Sequence, residues 1–259
     1  MTSTFPEKLA DREAYIESRV ISGNFDAKWT DLTYSTLGRS VRLRVMDDAL
    51  KIDGVRVNVS ADLQQRLADY FDASLLTPLV ADAIYAAAVR KITPCPMTIS
   101  SSVASMIKHS EAVDKKMSSD SGLSATVGKH WVLDKKLETQ PGKSCNYGWH
   151  FTGQSYLGIK GFPVATQAAG NNVKVIQPNA TAHDPHHTDY SQICQLVSQQ
   201  CWVDDVEMRF SDILKDPILG SLVSHQGALK IDRQPGTKKS NNCIVLFPVQ
   251  ISPASDPVV

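Results

Sequence analysis

The chain carries no excess of either charge: 27 Lys and Arg balance 27 Asp and Glu, for a formal net charge of +0 with neutral histidine. An overall basic field that would gather nucleic acid or anionic lipid is missing, so no nucleic acid is expected as a partner. No run approaches the roughly 18 apolar residues of a membrane span. The charges at Glu7, Lys8, Asp11, Arg12, Glu13, Glu17 and Arg19 break up any apolar stretch of a secretory leader, and the expected compartment is the cytoplasm. Cys95, Cys145, Cys194, Cys201 and Cys243 are odd in number and form no CxxC pair, which signals neither a disulfide framework nor a cysteine zinc site. A P-loop, a dinucleotide fingerprint and a nucleophile elbow are also missing, which argues against the common nucleotide and α/β-hydrolase chemistries.

What is present is the composition of a soluble globular protein: 42% hydrophobic and 21% charged residues in a chain of 259, long enough to bury a substantial core. Helical spacing is read over 6 to 22, over 61 to 72 with Ser60 as cap, over 78 to 91 with Thr77 as cap and Pro78 in the first turn, and over 101 to 116. Val41, Leu43 and Val45 alternate with arginines, as do Val55, Val57 and Val59 with polar residues, and Asp53-Gly54 is read as a hairpin turn between the two. Strands are expected over 127 to 133, 145 to 151 and 173 to 176. The 193 to 203 stretch fits helix or strand, with strand favoured because Val206 to Phe210 alternates beyond a turn at Asp204-Asp205. Asp216-Pro217 is read as the start of a short helix through Val223, and Ser252 to Val259 as a loose tail. The expected fold class is α+β, with antiparallel hairpins and short strands packed against several helices. A soft boundary divides residues 1–117, a helical and hairpin scaffold region, from residues 118–259, a mixed β-rich region, or else the chain is one domain.

Chemistry concentrates in one place. His183, Asp184, His186, His187 and Asp189 fall within seven residues, a stretch that holds three of the seven histidines. Imidazole exchanges protons near neutrality and is the commonest neutral metal ligand. Two versions of a site follow. His183, His187 and Asp189 could hold a divalent metal such as zinc, although Pro185 argues against the helical spacing of an HExxH site. Alternatively, Asp189 orients a histidine base without metal, with His150 or Tyr147 adding a further polar group. Cys145-Asn-Tyr-Gly-Trp-His150 adds a thiol, a phenol and an imidazole in six residues. Cys145, a histidine and Asp189 also stand in the chain order of a cysteine hydrolase, although a packed strand residue is the simpler account of that thiol. Trp149 and Tyr190 are the aromatic candidates for substrate contact. His130 could face the same site if its strand pairs with 145 to 151, and His109 and His225 most simply face solvent.

The blocks Gly128-Lys-His-Trp-Val-Leu-Asp134, Asn146-Tyr-Gly-Trp-His150 and His187-Thr-Asp-Tyr-Ser191 resemble those of a group of uncharacterised bacterial and phage-encoded proteins, over roughly residues 75 to 235. The resemblance carries no activity and implies that the second half is the functional part. The expected function is hydrolysis of an amide or related bond in a small-molecule or peptide-like substrate, with or without a divalent metal. The catalytic set is His150, His187, Asp189 and Tyr147, with Tyr147 and Tyr190 placed to bind developing negative charge. The competing class is a non-enzymatic structural or interaction protein of phage association.

Overall fold

Helical spacing puts Arg12, Ile16 and Val20 one turn apart, and in the computed structural model, which describes residues 4–152, 165–167 and 173–238, they form the buried face of α1 (Leu9–Ile21). A hairpin follows, β1 (Trp29–Thr36) with β2 (Arg39–Met46), paired from Trp29 opposite Met46 to Thr36 opposite Arg39. Val41, Leu43 and Val45 enter the core while Arg42 and Arg44 point outward and hold Asp31. Asp53-Gly54 does form a tight turn, with φ of 49° and 79°, but it joins only β3 (Lys51–Ile52) to β4 (Val55–Arg56). The expected pairing of 41–45 with 55–59 does not form, because β2 takes the strand before it as its partner. The turn at Leu37-Gly38, with φ of 51° and 74°, is disguised by leucine at a position where asparagine or glycine is usual.

Ser60 and Thr77 cap the next two helices as expected, accepting from Leu63 N and Val80 N, both at 3.2 Å. These are α2 (Ala61–Tyr70) and, after β5 (Ala73–Leu75), α3 (Pro78–Ala87). The chain continues through β6 (Arg90–Lys91), α4 (Val103–Asp114), β7 (Ser124–Ala125), β8 (Lys129–Val132) and β9 (Ser144–Thr152). Then come β10 (Ala165–Gln167), β11 (Val173–His183), β12 (Leu196–Val203), β13 (Val206–Arg209) and α5 (Phe210–Lys215). β11 runs past the expected end at 176 and reaches His183. The strand reading of 193 to 203 holds, with the turn at Asp204-Asp205. The helix expected from Asp216 lies earlier, as α5, because Asp216 caps a turn with its Oδ1, accepting from Ile218 N and Leu219 N, both at 2.8 Å. Beyond it, among the described residues, only Gly220–Leu222 is helical, as one 3-10 turn. The tail from Ser252 to Val259 lies outside the described residues.

The architecture is α+β, as expected. One antiparallel sheet runs β1-β2-β12-β13, with β5 also pairing β12, and a second runs β10-β11-β9-β8. Strands from both sides of residue 118 thus share the first sheet: β12 pairs β2 and β5. The main core likewise mixes Ile16, Leu43, Leu63 and Ile84 with Trp131, Leu196 and Phe210. No helix among the described residues is long and apolar enough to cross a membrane.

Candidate functional site

Asp82 is the one acidic side chain in the otherwise apolar run of α3, and it lies on the buried face of that helix with Val80, Ile84 and Tyr85. A buried carboxylate is costly unless it is paired. Here three donors meet it. Oδ1 accepts from the Tyr147 hydroxyl and from His150 Nε2, and Oδ2 accepts from His225 Nε2, each at 2.7 Å. Burial by itself would raise the Asp82 pKa, but the hydrogen bonds from His150, His225 and Tyr147 outweigh it and hold the pKa down at about 2. The group is therefore an anion at neutral pH. An ionised carboxylate only accepts, so both histidines carry their proton on Nε2 and leave Nδ1 unprotonated when neutral. One turn along α3, Tyr85 stacks on the His150 ring with centroids 5.1 Å apart and planes at 18°.

Tyr147 and His150 reach the same carboxylate although they are three residues apart on β9, where strict alternation would send them to opposite faces. The backbone between them resolves this. Gly148 has φ of 132° and Trp149 has φ of 59°, a left-handed pair that reverses the alternation. Cys145 and Tyr147 accordingly join the main core, while Trp149 and Phe151 pack with Ile176 and Tyr190 in a separate cluster. A Cβ on Gly148 would also come within 3.2 Å of the His130 ring, so both the conformation and the space call for glycine.

His225 comes from the loop after the 3-10 turn, pinned on both sides of the ring. Thr77 Oγ1, the cap of α3, donates to Val223 O at 2.5 Å, and Gln226 Nε2 donates to Asp134 Oδ2 at 2.6 Å. Gly220 lets this loop fold back, since a Cβ there would lie 2.6 Å from the Ala228 backbone. The His225 side chain is 43% exposed, whereas that of Asp82 is 3% exposed. One imidazole at the surface is thus held by a buried anion, an arrangement that orients a proton acceptor toward solvent.

The histidine segment is divided among several environments. His183 ends β11, and its ring stacks on His187 at 3.9 Å and 6°, with the Trp131 ring edge-on to both. Burial, then proximity to His187, lowers the His183 pKa. Asp184 makes the turn between them, accepting from His186 N at 2.8 Å, and His186 is exposed. Asp189 is buried and is taken up by other partners than histidine. Its Oδ1 accepts from Ser191 N at 2.8 Å and Ser191 Oγ at 2.5 Å, and its Oδ2 from Lys129 Nζ and Gln192 Nε2, both at 3.3 Å. Burial opposes its ionisation, but Lys129 and the Ser191 bonds prevail and lower its pKa. Among the described residues, Asp189, expected as orienter or ligand, is hydrogen-bonded to no histidine and is the counter-ion of Lys129 in β8, a strand buried along its whole length.

Trp149 and Tyr190, expected to contact substrate, are 1% and 2% exposed and pack in the interior. The Tyr190 hydroxyl donates to Met97 O at 2.9 Å and accepts from Met97 N at 2.6 Å. Tyr147 is committed to Asp82 and is also buried. β8 and β9 do pair, with His130 opposite Tyr147, but His130 is enclosed and burial drives its pKa down to about 3. His109, expected at the surface, is instead buried beside Trp149 and Tyr190, and burial together with Arg56 lowers its pKa to about 4. Cys145 is fully buried and donates to Asn179 Oδ1, and burial with nearby Asp134 raises its pKa, which disfavours the thiolate.

Among the described residues, no group of three or more His, Cys, Asp or Glu side chains is arranged to hold a metal ion, so His183, His187 and Asp189 do not assemble as a ligand set. Asp82 and His225 are the residues of this candidate site that pattern reading passes over. The available signal was a lone aspartate inside Leu79 to Ala88, an apolar helical run where a charge needs a partner. No family model, curated protein or solved structure matches the chain.

Proposed function

We propose that the protein hydrolyses an amide or related bond in a small or peptide-like substrate, with His225 as general base. The observation that carries the reading is the 2.7 Å bond from exposed His225 Nε2 to the buried Asp82 carboxylate. With Nε2–H committed to Asp82, Nδ1 is the nitrogen left to take a proton from an attacking water. Asp82, anionic through the neutral range, stabilises the imidazolium that forms and keeps the ring in its working tautomer. His150 and Tyr147 act as positioning residues: both fix the carboxylate from the protein side, and neither is exposed. His187 and Asp189 lie outside this arrangement and serve the fold around Trp131 and Lys129.

The test is a panel of N-acyl amino acids, short peptides and anilides, read by mass spectrometry for release of the amine. His225→Gln should lower the rate by about 10²-fold or more, the contribution typical of a positioned base, with the melting temperature unchanged. A second reading, a structural or interaction protein, draws on the burial of Asp189, Tyr190 and Ser191, which suits that block to a packing role. It becomes the better reading if no member of the panel is cleaved, or if His225→Gln cleaves as fast as the parent.

A further inference from the structure

A second polar site lies away from Asp82, in a cavity of about 120 Å³ walled by the segment before β1, by the turn after β2 and by β6. The backbone around it is tied down. Asp26 and Lys51 exchange N–H to O bonds at 2.9 and 3.0 Å, Asp47 N donates to Lys28 O at 2.9 Å, and Ser124 N donates to Asp47 O at 2.7 Å. Six charged side chains line the cavity: Asp26, Asp47 and Asp48 against Lys28, Lys51 and Arg90, three of each sign. Two of them are already engaged. Asp48 clamps the buried Arg56 through both oxygens, at 2.6 and 2.9 Å, and Lys51 lies 3.7 Å from Asp48 and 3.9 Å from Asp114.

The other four stand differently. Among the described residues, the side chains of Asp26, Asp47 and Lys28 make no hydrogen bond or ion pair, and Arg90 gives one Nη2 bond to Gly122 O while its Nε is buried without a partner. Asp47 lies close enough to Arg90 and Lys28 to feel their charge, yet no ion pair closes between them, and burial followed by Asp48 raises its pKa. Asp26 and Lys28 are exposed and Asp47 and Arg90 half-buried, and with no ion pair closed between the two signs the cavity has room for something carrying both. We propose that this cavity binds a small zwitterion, a free α-amino acid with a short side chain. Its ammonium would lie against Asp47 and Asp26, and its carboxylate against Arg90 and Lys28. The balance of wall charges matches a ligand with no net charge, and a guanidinium favours a planar carboxylate. Size agrees with the smallest of these ligands: a cavity near 150 Å³ takes the six heavy atoms of benzene, so this one accommodates roughly five, the size of glycine.

Isothermal titration of the full chain with glycine, L-alanine and L-serine tests the assignment, with acetate and methylamine as single-charge controls. Saturable binding of at least one amino acid, with neither control bound as tightly, is the expected result. Asp47→Asn and Arg90→Gln, each checked for folding by circular dichroism, should each weaken binding at least tenfold. Absence of saturable binding by all three amino acids up to about 50 mM would overturn the proposal. So would acetate binding as tightly as glycine, or full affinity in both folded variants. Neither substituted residue belongs to the His225 site, so hydrolysis and binding fail or succeed separately.

Discussion

Asp189→Ala removes the carboxylate that the Lys129 ammonium holds at 3.3 Å, in a place where Lys129 is only 7% exposed. Breaking a buried pair from one side costs about 3–5 kcal/mol, because the remaining charge keeps its desolvation penalty without the attraction that offset it. Ser191 N and Oγ lose their acceptor as well, adding on the order of 1 kcal/mol before local relaxation. A net loss near 4 kcal/mol is a large share of the roughly 5–15 kcal/mol typical of a folded domain. Urea denaturation reads it directly: with a slope of about 2–3 kcal/mol per molar, the midpoint should fall by about 1.3–2 M. The deficit should shrink as pH rises. Burial already lowers the Lys129 pKa, and without Asp189 the folded state sheds that proton at lower pH than the unfolded chain, so the variant gains stability through the alkaline range. Lys129→Met added to Asp189→Ala should restore most of the loss by removing the stranded charge. A loss below about 1 kcal/mol, or a double variant no more stable than the single one, would refute the structural role of this pair.

Acid should destabilise the protein before its carboxylates titrate. His109 and His130 stay neutral in the fold down to about 4 and about 3, while the unfolded imidazoles bind protons below about 6.5, so stability falls as pH drops through 6.5. Each group contributes about 2 kcal/mol of loss by about pH 5, and a His109→Gln/His130→Gln variant should show a correspondingly flatter profile in urea titrations run at several pH values. Cys145→Ser should retain turnover, since the thiol is enclosed and protonated; loss of turnover in a folded variant, with covalent labelling of Cys145, would restore the cysteine hydrolase reading. Gly148→Ala should cost about 1–3 kcal/mol in thermal or urea unfolding and weaken activity, because it strains the pair that turns His150 toward Asp82.

Local rules carried far in this chain wherever the deciding interaction was local. Ser60 and Thr77 as caps, the turn at Asp204-Asp205 and the strand character of β8 and β9 all follow from residue types at short range. Partner choice did not, because β2 selects β1 and β12 through packing that alternation alone cannot rank. The candidate site fared likewise. Tyr147 and His150 stand close together in the sequence and are legible as neighbours, but Asp82 and His225 are 143 positions apart and meet only when α3 packs against the later loop. The His183 to Asp189 cluster shows the converse: neighbours in sequence are divided among a strand end, a turn and a buried ion pair.

The catalytic account stands on His225 and Asp82 acting as one unit. The direct measurement is kcat/KM for His225→Gln, Asp82→Asn and the double variant, on the panel substrate cleaved fastest, with circular dichroism and melting curves run alongside. If the pair works together, each single variant should lose about 10²-fold or more while staying folded, and the double variant should lose little beyond the worse single. Additive losses, or full activity in folded His225→Gln, would contradict the account.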